Sequence, residues 1–301
     1  TVLALFGGLS FARVPSVGGA ARIAADAALS GSRGNSGAIL AQFFQGLADD
    51  LANEVRIGTR RFATAVVHAS DAARSALSLP REGTIITVLH DWSRAVHHVA
   101  QRSDDFIEIL RESLVAAHES LERTPQLLPE LKKAGVVDAG ALGFVRLIEG
   151  ITQYIQHGRL RETHADEPQA ADEVFTGIPD HEAVPSDGAA PRYRYCVEAM
   201  VSAERIDAAA LRTRLELQGD SVVVAGSGLR VKAHVHTDDP PAIFRTLSEF
   251  GVVERHKADD MRLQTSRAEA GRRACAVIVD SACDMPDADK LRLGVETVPV
   301  Q

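Results

Sequence analysis

Residues 31–37 read Gly-Ser-Arg-Gly-Asn-Ser-Gly, and an amphipathic stretch follows at once. Ile39, Leu40, Phe43, Phe44, Leu47 and Leu51 recur at helical spacing, which predicts a helix over 36–52 with one apolar stripe. Asn35 or Ser36 is the expected N-cap, and the glycines beside it leave backbone amides uncovered. Free N–H groups and the helix dipole both favour an anion at such a start, so the segment is a candidate phosphate site. The spacing suits an ordinary glycine-rich turn between two helices equally well. On either reading it opens a core helix, and that decides the fold class of the first half.

Working outward, the same periodicity predicts helices over 59–77, 84–101, 104–122 and 139–157, with Val66, Trp92, Ile109 and Val145 among the core positions. Nothing in residues 1–160 is strand-like, so this region is expected to be an all-α helical bundle. Residues 161–191 are rich in acids, Pro and Gly and have linker composition. From 192 to 268 the pattern changes to alternating strands around 193–201, 221–225, 229–236 and 252–256. Helices are expected over 207–217 and from Asp239-Pro-Pro to Phe250. That βαββαβ order is the order of a ferredoxin-like α+β sandwich. Residues 274–301 read as a buried strand, a short helix over 286–293 and a second strand over 295–300, the opening βαβ of an α/β unit that the chain does not complete.

A chain of 301 residues in two or three domains agrees with this division. Its net charge of −8 and the lack of a long basic run argue against a nucleic-acid partner. No apolar run reaches membrane-spanning length and no signal peptide opens the sequence. Three cysteines, Cys196, Cys275 and Cys283, are too few for a disulfide framework, so a cytoplasmic setting is expected. Thr1 leads straight into Val-Leu-Ala-Leu-Phe, and the last strand simply stops, so the chain is expected to be a piece of a longer protein.

Two further turns resemble the one at Asn35. Glu82-Gly-Thr84 precedes one helix, with Thr84 able to cap it. Asp138-Ala-Gly140 opens the last bundle helix, with Asp138 as N-cap. If the connections bring these starts to one end, amides, hydroxyls and a carboxylate converge on a nucleotide-sized site; otherwise each is plain capping. In the α+β region, His234 and His236 lie two apart on a strand and project from one face. Cys196 opposes the apolar set Tyr193, Tyr195, Val197 and Ala199 of its own strand. If these strands are neighbours, one thiolate and two imidazoles meet, a set that suits zinc better than magnesium. Taken alone, the residues read more simply as two exposed histidines and a buried thiol. His68, His90, His97, His98 and His118 read as surface or packed residues, and Trp92 as core.

The Gly-Ser-Arg-Gly-Asn-Ser-Gly stretch, Glu82-Gly-Thr-Ile-Ile-Thr-Val and Ala134-Gly-Val-Val-Asp-Ala-Gly-Ala-Leu-Gly together resemble the ATP-binding DhaL domain of dihydroxyacetone kinase. They resemble still more closely the bacterial fatty acid kinase subunit built on that domain. Asp220-Ser-Val-Val-Val and Val231-Lys-Ala-His-Val-His-Thr-Asp-Asp-Pro are similar to that kinase's middle domain, and residues 275–300 to the start of a DegV-type fatty-acid-binding protein.

The resemblance implies ATP-dependent phosphorylation of a fatty acid carboxylate, presented by a DegV-like unit, to an acyl phosphate. It carries over Gly34, Asn35, Ser36 and Gly37 to the phosphates, Thr84 to a further polar contact, and Asp138 with Gly140 to the nucleoside. It also implies zinc at Cys196, His234 and His236, with the fourth ligand open. The family holds magnesium on an Asp-Gly-Asp-type loop with no equivalent here, since Asp49-Asp50 and Asp104-Asp105 read as solvated pairs on helix surfaces. These residues alone are therefore expected to be inactive as a kinase, and no catalytic residue is assigned. Asp280-Ser-Ala-Cys-Asp284 departs from the DegV Asp-Ser-Thr-Ser-Asp pattern, which weakens any role for Cys283. The expected partner is the acyl-binding DegV-like unit, with peripheral membrane contact at most and homodimerisation left open. Two other readings stand beside this one: a dihydroxyacetone kinase component that phosphorylates a small acceptor, and a non-catalytic nucleotide- or acyl-binding regulator.

Overall fold

A computed structural model describes residues 14–157, 192–263, 277–280, 285, 289–290 and 295–298. The helical half runs α1 (Val17–Ser30), α2 (Gly34–Asp50), α3 (Thr59–Ser75), α4 (Ile85–Ala100), α5 (Phe106–Leu127), α6 (Pro129–Ala134) and α7 (Ala139–His157). Five of these follow the predicted periodicity to within a few residues. The helix α1 lies outside those predictions; its buried face is built from Gly18, Ala24, Ala25, Ala28 and Leu29, with a single large apolar side chain. Gly18 sits where a β-carbon would lie 2.6 Å from the Ala52 carbonyl oxygen, so only glycine lets α1 reach the end of α2.

The bundle core centres on Phe43, Trp92 and Phe144. Their rings meet edge to face, with Trp92 and Phe144 centroids 5.4 Å apart and Phe43 6.2 Å from each. Val66, Leu89, Ile109 and Val145 close around them, fully buried.

The second half runs β1 (Tyr195–Ile206), α8 (Ala208–Glu216), β2 (Asp220–Thr237), α9 (Pro240–Phe250) and β3 (Val252–Asp260). Asp207 and Asp239 cap α8 and α9 through Ala210 N and Ala242 N, and the prolines sit at the start of α9 as predicted. The sheet order is β2-β1-β3, antiparallel throughout. Two predicted strands, 221–225 and 229–236, form the single element β2. It turns back on itself at Gly226 and Gly228, both with positive φ, so that Gly219 abuts His236 and Gly226 abuts Arg230.

One sheet face packs on α8 and α9 through Val197, Val224, Val235, Leu211, Leu215 and Ile243. The other packs on the bundle: Met200, Val223 and Ala225 share an apolar seam with Ala24, Ala28, Leu29, Ala38 and Ala41. The α3–α4 connection adds a β-bridge of Leu77 with Val223, flanked by Ser78 N to Val222 O and Val224 N to Ala76 O, each 3.3 Å. Arg212 also donates to the Ser75 carbonyl.

Beyond these, β4 (Val277–Asp280) and β5 (Val295–Val298) pair in parallel, as an opening βαβ requires, and residues 289–290 between them are helical. The stretch 161–191 expected to be a linker, the apolar start at residues 2–6, Cys275, Ser281, Cys283 and Asp284 lie outside the described residues.

Candidate functional site

The three glycine-bearing turns meet. A β-carbon added to Gly140 would collide with Ser36 Oγ and lie 2.9 Å from Ser36 Cβ, so the starts of α2 and α7 touch. Asp138 joins α7 to α4: its carboxylate accepts the Ala141 amide at 2.7 Å and also the Ile85 amide. Thr124 Oγ1 accepts the Asp138 amide at 3.1 Å, which fixes the turn from below. Burial raises the Asp138 pKa, and the two amides pull it down only in part. Positive helix ends are thus gathered on one rim, the arrangement that favours an anion.

Not every residue predicted for this rim is free to serve it. The helix α2 begins at Gly34, not after an Asn35 or Ser36 cap, and no side chain of its own segment caps it. The cap comes from the sheet: Glu198 Oε1 accepts the Gly34 amide at 3.0 Å. Gly34 therefore contributes a left-handed φ of 60° and not an available donor. Asn35 Oδ1 is enclosed and has no hydrogen-bond partner among the described protein atoms. The Thr84 hydroxyl is committed to the Arg81 carbonyl at 2.7 Å, and it does not cap α4. Gly83, at φ 84°, packs against Leu127, Leu128 and the Thr124 carbonyl, and its amide goes to Thr87 Oγ1 at 2.9 Å.

The predicted Cys196, His234 and His236 also come together. On adjacent antiparallel strands Cys196 is paired with His236 and Glu198 with His234. Strand alternation puts these four side chains on the bundle-facing side. One ligand atom from each of Cys196, His234 and His236 falls within 4.8 Å of the others. Cys196 Sγ is 3.7 Å from His234 Nδ1. Burial alone would raise the thiol pKa, yet the two imidazoles bring it down to about 7. A soft thiolate with two imidazoles is a donor set for zinc-type metals.

Sequence reasoning passed over Glu198 and Lys232, which lie 5% and 8% exposed beside this cluster. Lys232 Nζ is 3.2 Å from Glu198 Oε2 and donates to the Ser32 carbonyl. Burial alone would raise the Glu198 pKa; His234, Lys232 and Lys257 outweigh it and hold the carboxyl far below the usual range. The signal was available: Glu198 is two residues from Cys196 and alternates onto the same face.

The acidic pairs that read as solvated are largely engaged. Asp49 pairs with Arg22 at 3.1 Å, and Asp50 with Arg61 at 2.6 Å. Asp104 accepts from Thr59, and Asp105 caps α5 through Ile107 N. No helix among the described residues is long and apolar enough to cross a membrane.

Residues 4–153 match the DAK2 domain family. Residues 192–268 match the middle domain of the FakA-like fatty acid kinase family. In this order, a DAK2 domain and a FakA-like middle domain are what the two halves of the chain are similar to. An uncharacterized protein of Staphylococcus haemolyticus is 33% identical over 244 residues, covering 78% of this chain and 43% of the relative. Uncharacterized proteins of Staphylococcus aureus strains USA300 and MRSA252 align with the same identity and coverage. The chain thus spans less than half the length of the curated relatives it matches.

Proposed function

We propose that this chain is the nucleotide-binding part of a kinase that phosphorylates a fatty acid carboxylate to an acyl phosphate. The observation that carries the reading is the meeting of Ser36, Gly140, Asp138 and Ile85, where three helix starts share one rim in a DAK2 domain. On this reading the amides of Asn35, Ser36 and Gly37 face the phosphates, and Gly140 lets the start of α7 lie directly against Ser36. Asp138 acts as the cap that aligns two of the helix starts, on the nucleoside side. Thr84 contributes through its place in the turn.

A fatty acid carboxylate is ionised at neutral pH, so the chain needs no general base for this transfer. Its task is to hold donor and acceptor in line and to surround the moving phosphoryl group with positive charge. Magnesium, when bound, neutralises phosphate charge. Of the described carboxylates near the rim, Asp138 caps two helix starts, Glu198 is held by Gly34 and Lys232, and Glu82 by Thr87 and Arg74, while Asp49 and Asp50 pair with arginines, so these residues do not form a magnesium site. We therefore expect these 301 residues alone not to turn over.

Cys196, His234 and His236 fit zinc by donor type and proximity, and would hold it as a centre that organises the sheet beside α2. The residues over 274–301 are read as the start of a DegV-like acyl-binding unit, and the acceptor is presented by a partner of that type.

Two experiments test this. A crystal soaked with a non-hydrolysable ATP analogue should show its phosphates at the Ser36–Gly140 rim; nucleotide bound elsewhere overturns the reading. Elemental analysis should find about one zinc per chain in the wild type and much less in Cys196→Ala; equal zinc content removes the metal centre.

A further inference from the structure

The glycine turn and the Cys–His cluster share one carboxylate. Glu198 Oε1 accepts the Gly34 amide at 3.0 Å and lies 3.4 Å from His234 Nδ1. Its second oxygen meets Lys232 Nζ, which also donates to the carbonyl of Ser32, two residues before Gly34. The turn is therefore held by two side chains from the same strand pair, one on an amide and one on a carbonyl.

Plain capping does not account for this. A local Ser or Asp caps a helix at little cost, as Asp105, Asp207 and Asp239 do here. Burying a carboxylate and an ammonium carries a desolvation penalty that an apolar pair avoids, so such a pair is weak evidence for stability. What it provides here is position. A metal-ligating histidine characteristically donates its second ring N–H to a carboxylate, which fixes the ring and its tautomer. Glu198 Oε1 faces His234 Nδ1, so Nδ1 is the nitrogen that would donate and Nε2 the one that would take the metal; the same oxygen already holds the first turn of α2.

We propose that Glu198 is a positioning residue that couples metal occupancy at Cys196, His234 and His236 to the conformation of the glycine turn at residues 32–37. This rests on the reading of the cluster as a zinc centre. Metal on the imidazole fixes the ring of His234, the ring orients the Glu198 carboxylate, and the carboxylate sets the Gly34 amide. Anything that binds the turn then tightens the metal by the factor by which metal tightens it.

The test uses the full 301-residue chain. Hydrogen exchange of residues 32–37 is followed by mass spectrometry after chelation and after adding back zinc, in wild type, Glu198→Ala and Glu198→Gln. In the wild type, zinc should slow exchange at this turn about fivefold or more, the size of an ordinary site-to-site coupling. Glu198→Ala should bind zinc and lose the response. Wild-type exchange indifferent to bound zinc overturns the proposal, as does a full response in Glu198→Ala. If that variant does not fold, Glu198→Gln decides. It keeps an acceptor for Gly34 without the charge that draws His234, so its response should be smaller, and one of wild-type size overturns the proposal equally.

Measured zinc content separates the two layers. A wild type that takes up no zinc sinks the metal centre and this coupling together; zinc bound without effect on the turn sinks the coupling alone. ATP added to zinc-loaded protein should protect the same residues. No protection there refutes the nucleotide reading and leaves the zinc response standing.

Discussion

Ser36 and Gly140 touch across the rim of the bundle so closely that no β-carbon fits at position 140. Gly140→Ala must push Ser36 or tilt α7. It should destabilise the protein by about 1–3 kcal/mol, the usual cost of overpacking, and weaken ATP binding with it. Shortening the other side in Gly140→Ala/Ser36→Gly should recover part of the binding loss; calorimetric titration of single and double variants checks this.

Gly83 offers a second steric test. Its φ of 84° disfavours any side chain, and a β-carbon would lie 2.8 Å from Leu127 Cβ and 3.1 Å from the Thr124 carbonyl. Gly83→Ala should cost more than about 2 kcal/mol, combining left-handed backbone strain with a clash. Because Thr124 Oγ1 also receives the Asp138 amide, the damage should spread to the start of α7. Urea melts measure the first effect, and exchange at Asp138–Leu142 the second.

Lys232 is paired where little water reaches. Lys232→Met leaves Glu198 buried with a weakened set of partners and the Ser32 carbonyl without its donor. Removing one member of such a pair should cost about 3–5 kcal/mol. The double variant Lys232→Met/Glu198→Leu removes the buried charge but leaves the Ser32 carbonyl and the Gly34 amide without partners, so it should regain only part of that stability in denaturant unfolding.

Asp50 gives a pH signature. Burial alone would raise its pKa, but hydrogen bonds and charge from Arg61 and His68 hold it below the ordinary 3.8. A carboxylate depressed in the folded state stabilises fully above its unfolded value and loses that contribution as pH falls through the folded one. The wild type should therefore exceed Asp50→Asn in stability by up to about 1 kcal/mol at neutral pH. The gap should close only below 3.8 in thermal melts taken across pH.

The sequence carried much of this arrangement and missed what depends on distant contacts. Helical spacing located α2 through α5 and α7 because each buries a contrasting apolar face, Val66 or Trp92 against exposed neighbours. It did not locate α1, whose exposed side carries Arg22, Asp26 and Ser30 but whose buried side is mostly alanine and Gly18 in place of large apolar residues. Strand alternation put Cys196, His234 and His236 on one face, and the antiparallel register then made them neighbours. The start of α2 was misplaced for a physical reason: its cap, Glu198, comes from 164 residues away. A glutamate on a strand reads as a solvent-facing residue until its lysine and histidine partners are seen.

The β-bridge between Leu77 and Val223 bears on how the molecule can be divided. Excised alone, residues 192–263 would bare an open row of amides and carbonyls along the outer arm of β2, with Met200, Val223 and Ala225 wetted. Such a fragment is a template for sticking to its own kind. The seam and the bridge both cross from one matched domain to the other, so a cut placed between the domains exposes them.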